Sequence, residues 1–499
     1  MTHPATGMRK YRWWQAHRKL AITVGAVAVV LVAVAAYAVW PKTEPVVYIT
    51  DGSHVFSPDI AHVEGLIREE NAQVRASGIR YVSIAFVDIM APRKNVDPIP
   101  PDSVRHDLEG AYLAQMNWNH RSGKPPATPV QLLLADEGSG EANWLEAAHA
   151  IEEKVEPPDN LVAAVGLGIS VENTRKLIRD LSAHNIAIVA GAITGDSMTR
   201  SLDDPGPVPG MVRVAQTNSD EASAAVKYLD REPTIPSSPT VFFVQDQNDR
   251  DDFAKTLGSA FLTAIQNDSV RQYKLASPGM FYNSRLSGAG EVLRANAGRV
   301  CESGADVVYF AGRGTDLQGF LTGLAMRSCA RERPLLVVGS PDIARQTNTR
   351  LWAGQDANMT VIFTGLVSAE MWNKDEAATS GEVSYRFTGT CPLCFPTLFP
   401  GEKLDDGTAI LSHDAVWTVE QAMEQLTGTD QGVPLSAGVV AQQLNQLKVP
   451  GASGWICAFD SNHNPVNKAI PVMSIDQNGH LTYKALSSAT GVPPRSCGS

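Results

Sequence analysis

This chain of 499 residues lacks the common sequence motifs of catalytic sites. It contains no GxSxG nucleophile elbow, no HExxH zinc motif, no SxxK pair and no GxxxxGK phosphate loop. Its 11 histidines are scattered and form no group with the spacing of metal ligands. We therefore expect a protein that is not an enzyme and that holds neither a cofactor nor a metal ion.

Basic residues are also scarce, with 42 Lys and Arg against 53 Asp and Glu. Five of the basic residues precede residue 20, which leaves 37 basic against 53 acidic residues, a net charge of −16, for the rest of the chain. A surface with this excess of negative charge repels the phosphate backbone. The composition therefore argues against a nucleic-acid partner.

One long apolar run lies near the amino terminus. Residues 20–40, LAITVGAVAVVLVAVAAYAVW, carry no charge over about 20 residues, the length that spans a bilayer. Residues 1–19 are basic without a single acid, so they are predicted to be cytoplasmic. We predict a transmembrane helix over 20–40, with everything after it outside the cell membrane. A cleaved signal peptide is the alternative, because Ala36-Tyr37-Ala38 fits a small-x-small cleavage site.

The segment from Leu161 to Asp196 contains a strand, a turn, a helix and a second strand. LVAAVGLG and IAIVAGAIT are apolar runs typical of parallel strands buried on both faces. Between them, VENTRKLIRDLSAH predicts a helix that the hydroxyl of Ser170 would cap. Both strands end on the same edge of the sheet, and ligands of such sheets lie beyond the carboxyl ends of the strands.

This unit resembles the first-lobe core of the type I periplasmic binding proteins, in the branch that binds leucine, isoleucine, valine and related solutes. In that family a serine after the glycine-rich strand end, and a threonine at the end of the next strand, hold the α-carboxylate of an amino acid. Ser170 and Thr194 fall on those positions. The resemblance extends as a distributed pattern from about Tyr81 to Asp476, where strands and helices keep alternating.

The fold that the resemblance implies is α/β, with two doubly wound parallel-sheet lobes joined by a hinge and preceded by one transmembrane helix. We expect residues 80–214 with 363–452 to form the first lobe, and 215–362 with 453–490 the second. Residues 41–79 are predicted to be a juxtamembrane segment. The long insertion FTGTCPLCFPTLFPGEK, residues 387–403, is predicted to be a loop on the outside of the fold.

The resemblance also implies a ligand site in the cleft between the lobes. An acid on the second lobe would receive an α-ammonium group. The alternative for the serine is a helix cap and nothing more. The predicted ligand-binding residues are Gly168, Ile169, Ser170, Ala192, Thr194, Asp246, Gly312 and Asp342.

The expected function is that of a membrane-anchored solute-binding protein, capturing an amino acid or similar small polar solute for an ABC-type importer by closure of two lobes. A permease would then be its partner. The alternative is a ligand-sensing domain outside the cell that signals through a partner protein. About nineteen residues precede the apolar run, too few for a kinase or cyclase domain.

Three other patterns have less distinctive interpretations. Gly312-Arg313-Gly314, with the next glycine at Gly319, departs from the GxGxxG spacing of dinucleotide sites, so we interpret it as a turn. Arg313 is predicted to be a solvated surface residue, with contact to an anionic ligand as the alternative. The adjacent acids at 136 and 137 point to opposite faces of a strand and are predicted to form no catalytic dyad. Asp414 is predicted to lie in the first turn of a helix and to complement its dipole.

Six cysteines all follow the apolar run, in the part where disulfides persist, and allow 15 connectivities. Cys301 and Cys329 are predicted to pair, because successive helices of a doubly wound lobe can bring like ends together. Cys457 with Cys497, and Cys391 with Cys394, would account for the remainder. The last pair has CxxC spacing, so redox activity or metal binding are alternatives, although no helix is predicted to follow it.

Overall fold

The computed structural model describes residues 46–498 apart from positions 95, 122–125, 127, 201–205, 347–349, 354–356 and 429–432. Within this described part, no helix is long and apolar enough to cross a membrane. The predicted cytoplasmic segment 1–19 and the predicted transmembrane helix 20–40 lie outside it.

Elements of the amino-terminal half alternate between strand and helix, as follows: β1 (Ile49–Thr50), α1 (Ala61–Ala76), β2 (Val82–Asp88), α2 (Pro101–Asn119), β3 (Val130–Asp136), α3 (Trp144–Glu152), β4 (Leu161–Gly166), α4 (Glu172–Ala183), β5 (Ala187–Ala190) and β6 (Met211–Arg213).

The remaining elements in chain order are α5 (Asn218–Leu229), β7 (Thr240–Asp246), α6 (Asp252–Asn267), β8 (Lys274–Leu275), β9 (Met280–Tyr282), α7 (Ala289–Asn296), α8 (Arg299–Ser303), β10 (Val307–Ala311), α9 (Gly314–Ala325), β11 (Leu335–Gly339), β12 (Met359–Thr364), α10 (Met371–Lys374), α11 (Gly381–Thr388), α12 (Phe395–Leu398), α13 (Thr408–Thr427), α14 (Ala437–Gln443), β13 (Val449–Gly451), β14 (Gly454–Ile456), β15 (Ile470–Ile475) and β16 (Leu481–Ser487).

The first sheet has the strand order β1-β3-β2-β4-β5-β6, and all its pairs are parallel except β1 with β3. Every residue of β2, VSIAFVD, is buried, as expected for a parallel strand covered on both faces. Apart from β1, the strands have the doubly wound order that the sequence predicts. The sheet also includes β1, from the segment 41–79.

The second sheet repeats this order, as β16-β15-β12-β11-β10-β7-β8 with β9 beside β7. Its strands are parallel from β7 to β12, and β15 and β16 add an antiparallel edge. Helix α5 starts with a capping box, in which Thr217 and Asp220 each accept the other's backbone N–H. The predicted α/β class with two parallel-sheet lobes is confirmed.

Hydrogen bonds join the chain crossovers between the lobes. Gln216, just after β6, donates its side-chain amide to the carbonyl of Gly365, just after β12, at 3.1 Å. Lys468 donates to the carbonyl of Val214 at 2.6 Å and to the hydroxyl of Ser453 at 2.8 Å. Burial lowers the pKa of this fully buried lysine to about 8. The hinge is therefore a packed and hydrogen-bonded region rather than three loose linkers.

The insertion at residues 387–403 differs from the predicted outer loop. Phe387, Phe395 and Phe399 are buried and belong to the main hydrophobic core. A short helix, α12, follows Cys394, where the sequence predicted none. Burial of three aromatic side chains outweighs the proline-rich, loop-like composition of the segment.

The structure contains the three disulfides that the sequence predicts. Cys301 pairs with Cys329 at a Cα separation of 5.7 Å, and Cys391 with Cys394 at 5.0 Å. Cys457 pairs with Cys497. No cysteine is left as a free thiol.

Helix α13 packs against α2, where a glycine permits close approach. A Cβ added at Gly110 would lie 1.9 Å from the carbonyl oxygen of Ala409.

Asp414 lies inside α13 rather than in its first turn, so the prediction that it complements the helix dipole there is wrong. Its carboxylate is fully buried and accepts the backbone N–H groups of Ala452 and Ser453 at 3.1 and 2.8 Å. It therefore ties the first lobe to the β13-β14 hairpin.

Candidate functional site

Ser170 connects the ends of the two strands that frame the predicted site. Helix α4 starts at Glu172 and Val171 occupies its N-cap position, so the prediction of Ser170 as a helix cap is wrong. Instead, the Ser170 hydroxyl oxygen accepts the backbone N–H groups of Thr194 and Gly195, both at 3.1 Å. A hydroxyl has one donor besides its two acceptor sites, so the O–H of Ser170 can still donate to a ligand.

The backbone has positive φ at three successive residues, from the last residue of β4 into the turn that follows it. Gly166, Leu167 and Gly168 have φ values of 88°, 76° and 54°. Such a conformation is unfavourable for leucine, and backbone strain of this kind concentrates at functional sites. It brings the backbone at Gly168 next to Glu137, because a Cβ added there would lie 2.3 Å from Glu137 Oε1.

The carboxyl edge of the first sheet holds buried acids that the predicted site did not include. Asp88 ends β2 and Glu137 follows β3, and both are at least 98% buried. Glu137 Oε1 has no hydrogen-bond partner in the part of the chain that the structure describes. A Cβ added at Gly168 would lie 3.5 Å from Asp88 Oδ1, so the two carboxyl groups face the same turn.

These acids hold their protons more tightly than usual. Burial, reinforced by the carboxylates of Glu141 and Asp88, raises the pKa of Glu137 well above its ordinary value. Burial also raises the pKa of Asp88 to about 6. Asp107 of α2 has a pKa raised by burial and by Asp88. These carboxyl groups therefore favour the neutral form more than exposed carboxyl groups do.

On the second lobe, the predicted residues Asp246, Gly312 and Asp342 lie at or just beyond the carboxyl ends of β7, β10 and β11. Asp246 Oδ1 accepts the N–H groups of Asn248 and Ser284 at 3.0 and 2.9 Å. Gly312 is required by close packing, since a Cβ there would lie 2.1 Å from the Tyr282 hydroxyl oxygen.

Arg313 is buried and paired rather than solvated, which corrects that prediction. Its guanidinium contacts both carboxylate oxygens of Asp251 at 2.7 and 3.0 Å and Asp342 at 3.0 Å. Burial alone would lower the pKa of Arg313, but the two carboxylates outweigh it and keep the pKa above its usual value. Asp342 therefore already shares a buried cation with Asp251 and is less available to a ligand ammonium than an unpaired acid would be.

The lobes touch each other beside Ser170. The Ser170 carbonyl accepts the N–H of Phe253 at 3.1 Å, and Glu172 donates its N–H to the carbonyl of Arg250 at 3.0 Å. An ion pair of 3.0 Å between Arg175 and Asp252 reinforces the contact. The structure is thus closed on this side of the cleft.

The structure therefore brings part of the predicted site together. Ser170 and Thr194 are hydrogen-bonded neighbours, with Gly168, Ile169 and Ala192 in the turns around them. Asp88 and Glu137 are not among the predicted ligand-binding residues. The sequence contains a signal for them, because both lie at the carboxyl ends of adjacent parallel strands and such ends meet at one edge of a sheet.

Comparisons with known proteins support this fold. No protein-family model matches the sequence. No curated protein matches it either. Solved structures do match: an ABC transporter substrate-binding protein from Desulfitobacterium hafniense in complex with Leu has 15% identity and a TM-score of 0.59, covering 81% of this chain and 100% of its own.

Two further structures give the same result. A putative branched-chain amino acid ABC transporter from Rhodospirillum rubrum has 15% identity and a TM-score of 0.54, covering 81% of this chain and 99% of its own. An ABC transporter substrate-binding protein from Aeropyrum pernix has 13% identity and a TM-score of 0.57, covering 82% and 96%. With two doubly wound lobes, a hydrogen-bonded hinge and these structural neighbours, the chain has the fold of the type I periplasmic binding proteins.

Proposed function

We propose that this chain is a solute-binding protein that captures an amino acid or similar small polar solute between its lobes and passes it to an ABC-type importer. It is not an enzyme in this proposal. The observation that supports it is the carboxyl edge of the first sheet. Ser170 binds the next strand end there, and Glu137 keeps a buried oxygen beside the backbone of Gly168 that has no partner among the described residues. A donor and an acid at one edge suit the two charged ends of a zwitterion.

The carboxylate of the solute is proposed to bind at Ser170 and Thr194. The Ser170 oxygen is held by two backbone N–H groups, so its O–H direction is set before the ligand arrives. Gly168, Ile169 and Ala192 would line this wall.

The ammonium group is proposed to bind Glu137 and Asp88 on the first lobe. Among the second-lobe acids, Asp342 is already paired with Arg313, whereas Asp246 keeps a buried oxygen, Oδ2, without a partner among the described residues. Asp246 and Gly312 would therefore contact the far end of the solute when the lobes close.

A thermal-shift screen of the full-length protein in detergent tests this function. The panel is the L-amino acids, their amides and simple amines. We expect at least one amino acid to raise the melting temperature, because a ligand that binds only the folded state stabilises it. The shift should be smaller in Glu137→Gln at the same solute concentration and unchanged in Glu146→Gln, an exposed acid of the same lobe. A panel with no effect on the wild type would contradict the proposal.

Delivery to an importer is separable from sensing. Cells that lack this protein should lose uptake of the radiolabelled solute identified in the screen. Normal uptake combined with altered gene expression on addition of the solute would favour the sensor.

Residues 20–40 are proposed to anchor the protein in the cell membrane, with the lobes outside. The support is the uncharged run and the one-sided basic charge before it. Protease added to intact cells should degrade the lobes. A mature chain that begins near Val39 and is released into the medium would refute the anchor.

A further inference from the structure

A second cluster of ionisable side chains lies on the first lobe, where the insertion packs against α2. His106 and Glu109 lie one turn apart on α2, and Glu402 reaches them from the segment between α12 and α13. One ligand atom from each of the three lies within 4.8 Å of the others. We propose that His106, Glu109 and Glu402 bind a divalent transition-metal ion, for which zinc is the best match.

The distance between His106 and Glu402 fits a metal. His106 Nε2 and Glu402 Oε2 are 3.3 Å apart, in a hydrogen bond that a bound ion would replace. Two ligands on a tetrahedral zinc, each about 2.1 Å from the ion, are separated by roughly 3.4 Å. An imidazole with two carboxylates is a donor set that zinc accepts and that magnesium and calcium, which favour all-oxygen sites, do not.

A carboxylate behind the histidine orients it. His106 Nδ1 lies 2.9 Å from Asp406 Oδ2, which also accepts the Ser103 hydroxyl at 2.9 Å. With the Nδ1 proton donated to Asp406, the lone pair of Nε2 points toward the two glutamates. Metal-binding histidines are commonly held in this way.

Glu109 supplies an independent indication of a bound cation. The residue is 98% buried, and its Oε2 atom has no hydrogen-bond partner among the residues that the structure describes. A buried, unpartnered carboxylate oxygen is costly, and a metal ion would satisfy it.

The charge balance favours a cation of charge two. In the metal-bound form Glu109, Glu402 and Asp406 would carry three negative charges, and the neighbouring Arg105 carries one positive charge, with its guanidinium 3.1 Å from Glu402. The ion would displace the proton from His106 Nε2, and with His106 neutral it would bring these five side chains to zero net charge. A cavity of about 200 Å³, lined by Arg105, His106, Glu402 and Asp406, lies beside the cluster and leaves room for a water as fourth ligand.

The ion would fasten the insertion to α2, a role separate from solute binding in the cleft. Another possible group, Glu152, Asp180 and His184, serves as the control. The side chain of His184 is 52% exposed, and Glu152 is its ion-pair partner at 2.9 Å. Thiolates do not compete, since all cysteines are in disulfides.

Zinc titration by calorimetry of the full-length protein in detergent, after treatment with EDTA, tests the site. We expect one equivalent to bind with a Kd of about 1 μM or below, and magnesium not to bind. His106→Gln and Glu109→Gln should each weaken zinc binding by at least about tenfold, because even the loss of a residue that only orients a metal ligand costs about 10–100-fold in affinity. His184→Gln should leave the affinity unchanged.

Circular dichroism in EDTA verifies that each variant is folded, and Glu109→Gln, which keeps the side-chain shape, decides the matter if His106→Gln does not fold. The proposal is overturned if wild-type protein binds no zinc, if folded Glu109→Gln binds as tightly as wild type, or if His184→Gln is the variant that loses binding.

Discussion

Replacement of Ser170 by alanine should destabilise the protein because it removes the acceptor of two buried N–H groups. In the structure, the serine hydroxyl oxygen accepts the N–H groups of Thr194 and Gly195 at 3.1 Å each. Ser170 itself is only 3% exposed, so water cannot replace the lost oxygen without a rearrangement.

The magnitude follows from the cost of leaving buried donors unsatisfied, which is roughly 1–3 kcal/mol per group. Two such groups in one turn predict a loss of about 2–4 kcal/mol in the free energy of unfolding, with some relaxation of the turn included. A helix-cap role for Ser170 would predict about 1 kcal/mol.

The assay is urea unfolding, followed by far-ultraviolet circular dichroism, of wild-type protein and of the variants. The matched control is Ser259→Ala, because the exposed Ser259 hydroxyl donates only to the carbonyl of Lys255 within its own helix. This control should change the free energy of unfolding by no more than about 0.5 kcal/mol. Equal stabilities of Ser170→Ala and Ser259→Ala would refute the connection between the two strand ends.

Three further predictions concern buried charges and the disulfides. Arg313→Met leaves two buried carboxylates without their cation, so the free energy of unfolding should fall by about 3–5 kcal/mol. A loss in denaturant titration no larger than that of an exposed-site variant would contradict the pairing. Burial raises the pKa of Glu420 to about 8 in the folded protein, whereas the carboxyl group of the unfolded chain has a pKa near 4.5. Between these pH values the folded state binds more protons than the unfolded state, so the free energy of unfolding should fall as the pH rises from about 4.5 to 8. Glu420→Gln should reduce the steepness of the pH dependence measured from pH 5 to 9, and Glu382→Gln, an exposed control, should not. Removal of the disulfide with a Cys301→Ala, Cys329→Ala double variant should cost about 2–4 kcal/mol, and peptide mapping that linked Cys301 to a different cysteine would refute the pairing.

The fold was predictable from local sequence signals, which occur in both lobes. Apolar runs such as LVAAVG end in glycines and are followed by amphipathic helices, and this pattern sets both strand order and crossover hand. The pairing of Cys301 with Cys329 followed from the same topology, because like ends of successive helices meet. Local periodicity and topology rules were sufficient for these elements.

The environment of single polar residues was not predictable in the same way. Arg313 looks like a surface residue in the sequence, yet Asp251 and Asp342, 62 and 29 positions away in the chain, fold around it. Asp414 similarly finds its partners in a hairpin 38 and 39 residues later. Such partners depend on tertiary packing, which a pattern within one segment does not contain.

The candidate metal ligands show the same limit. His106 and Glu109 have the i, i+3 spacing of one helix face, but Glu402 comes from almost 300 positions further along the chain. A search for short motifs therefore finds only two of the three ligands. The insertion that brings Glu402 into place was itself predicted to be an outer loop.

Calorimetric titration with a solute tests the central claim most directly. The amino acid that gives the largest thermal shift is titrated into wild-type protein, Thr194→Val and Glu137→Gln. Loss of a charge-assisted hydrogen bond costs about 1.5–3 kcal/mol, so each variant should bind roughly tenfold or more weakly than wild type. If both variants bind this amino acid as tightly as the wild type does, the solute does not lie at the carboxyl edge of the first sheet and the account of the cleft is wrong.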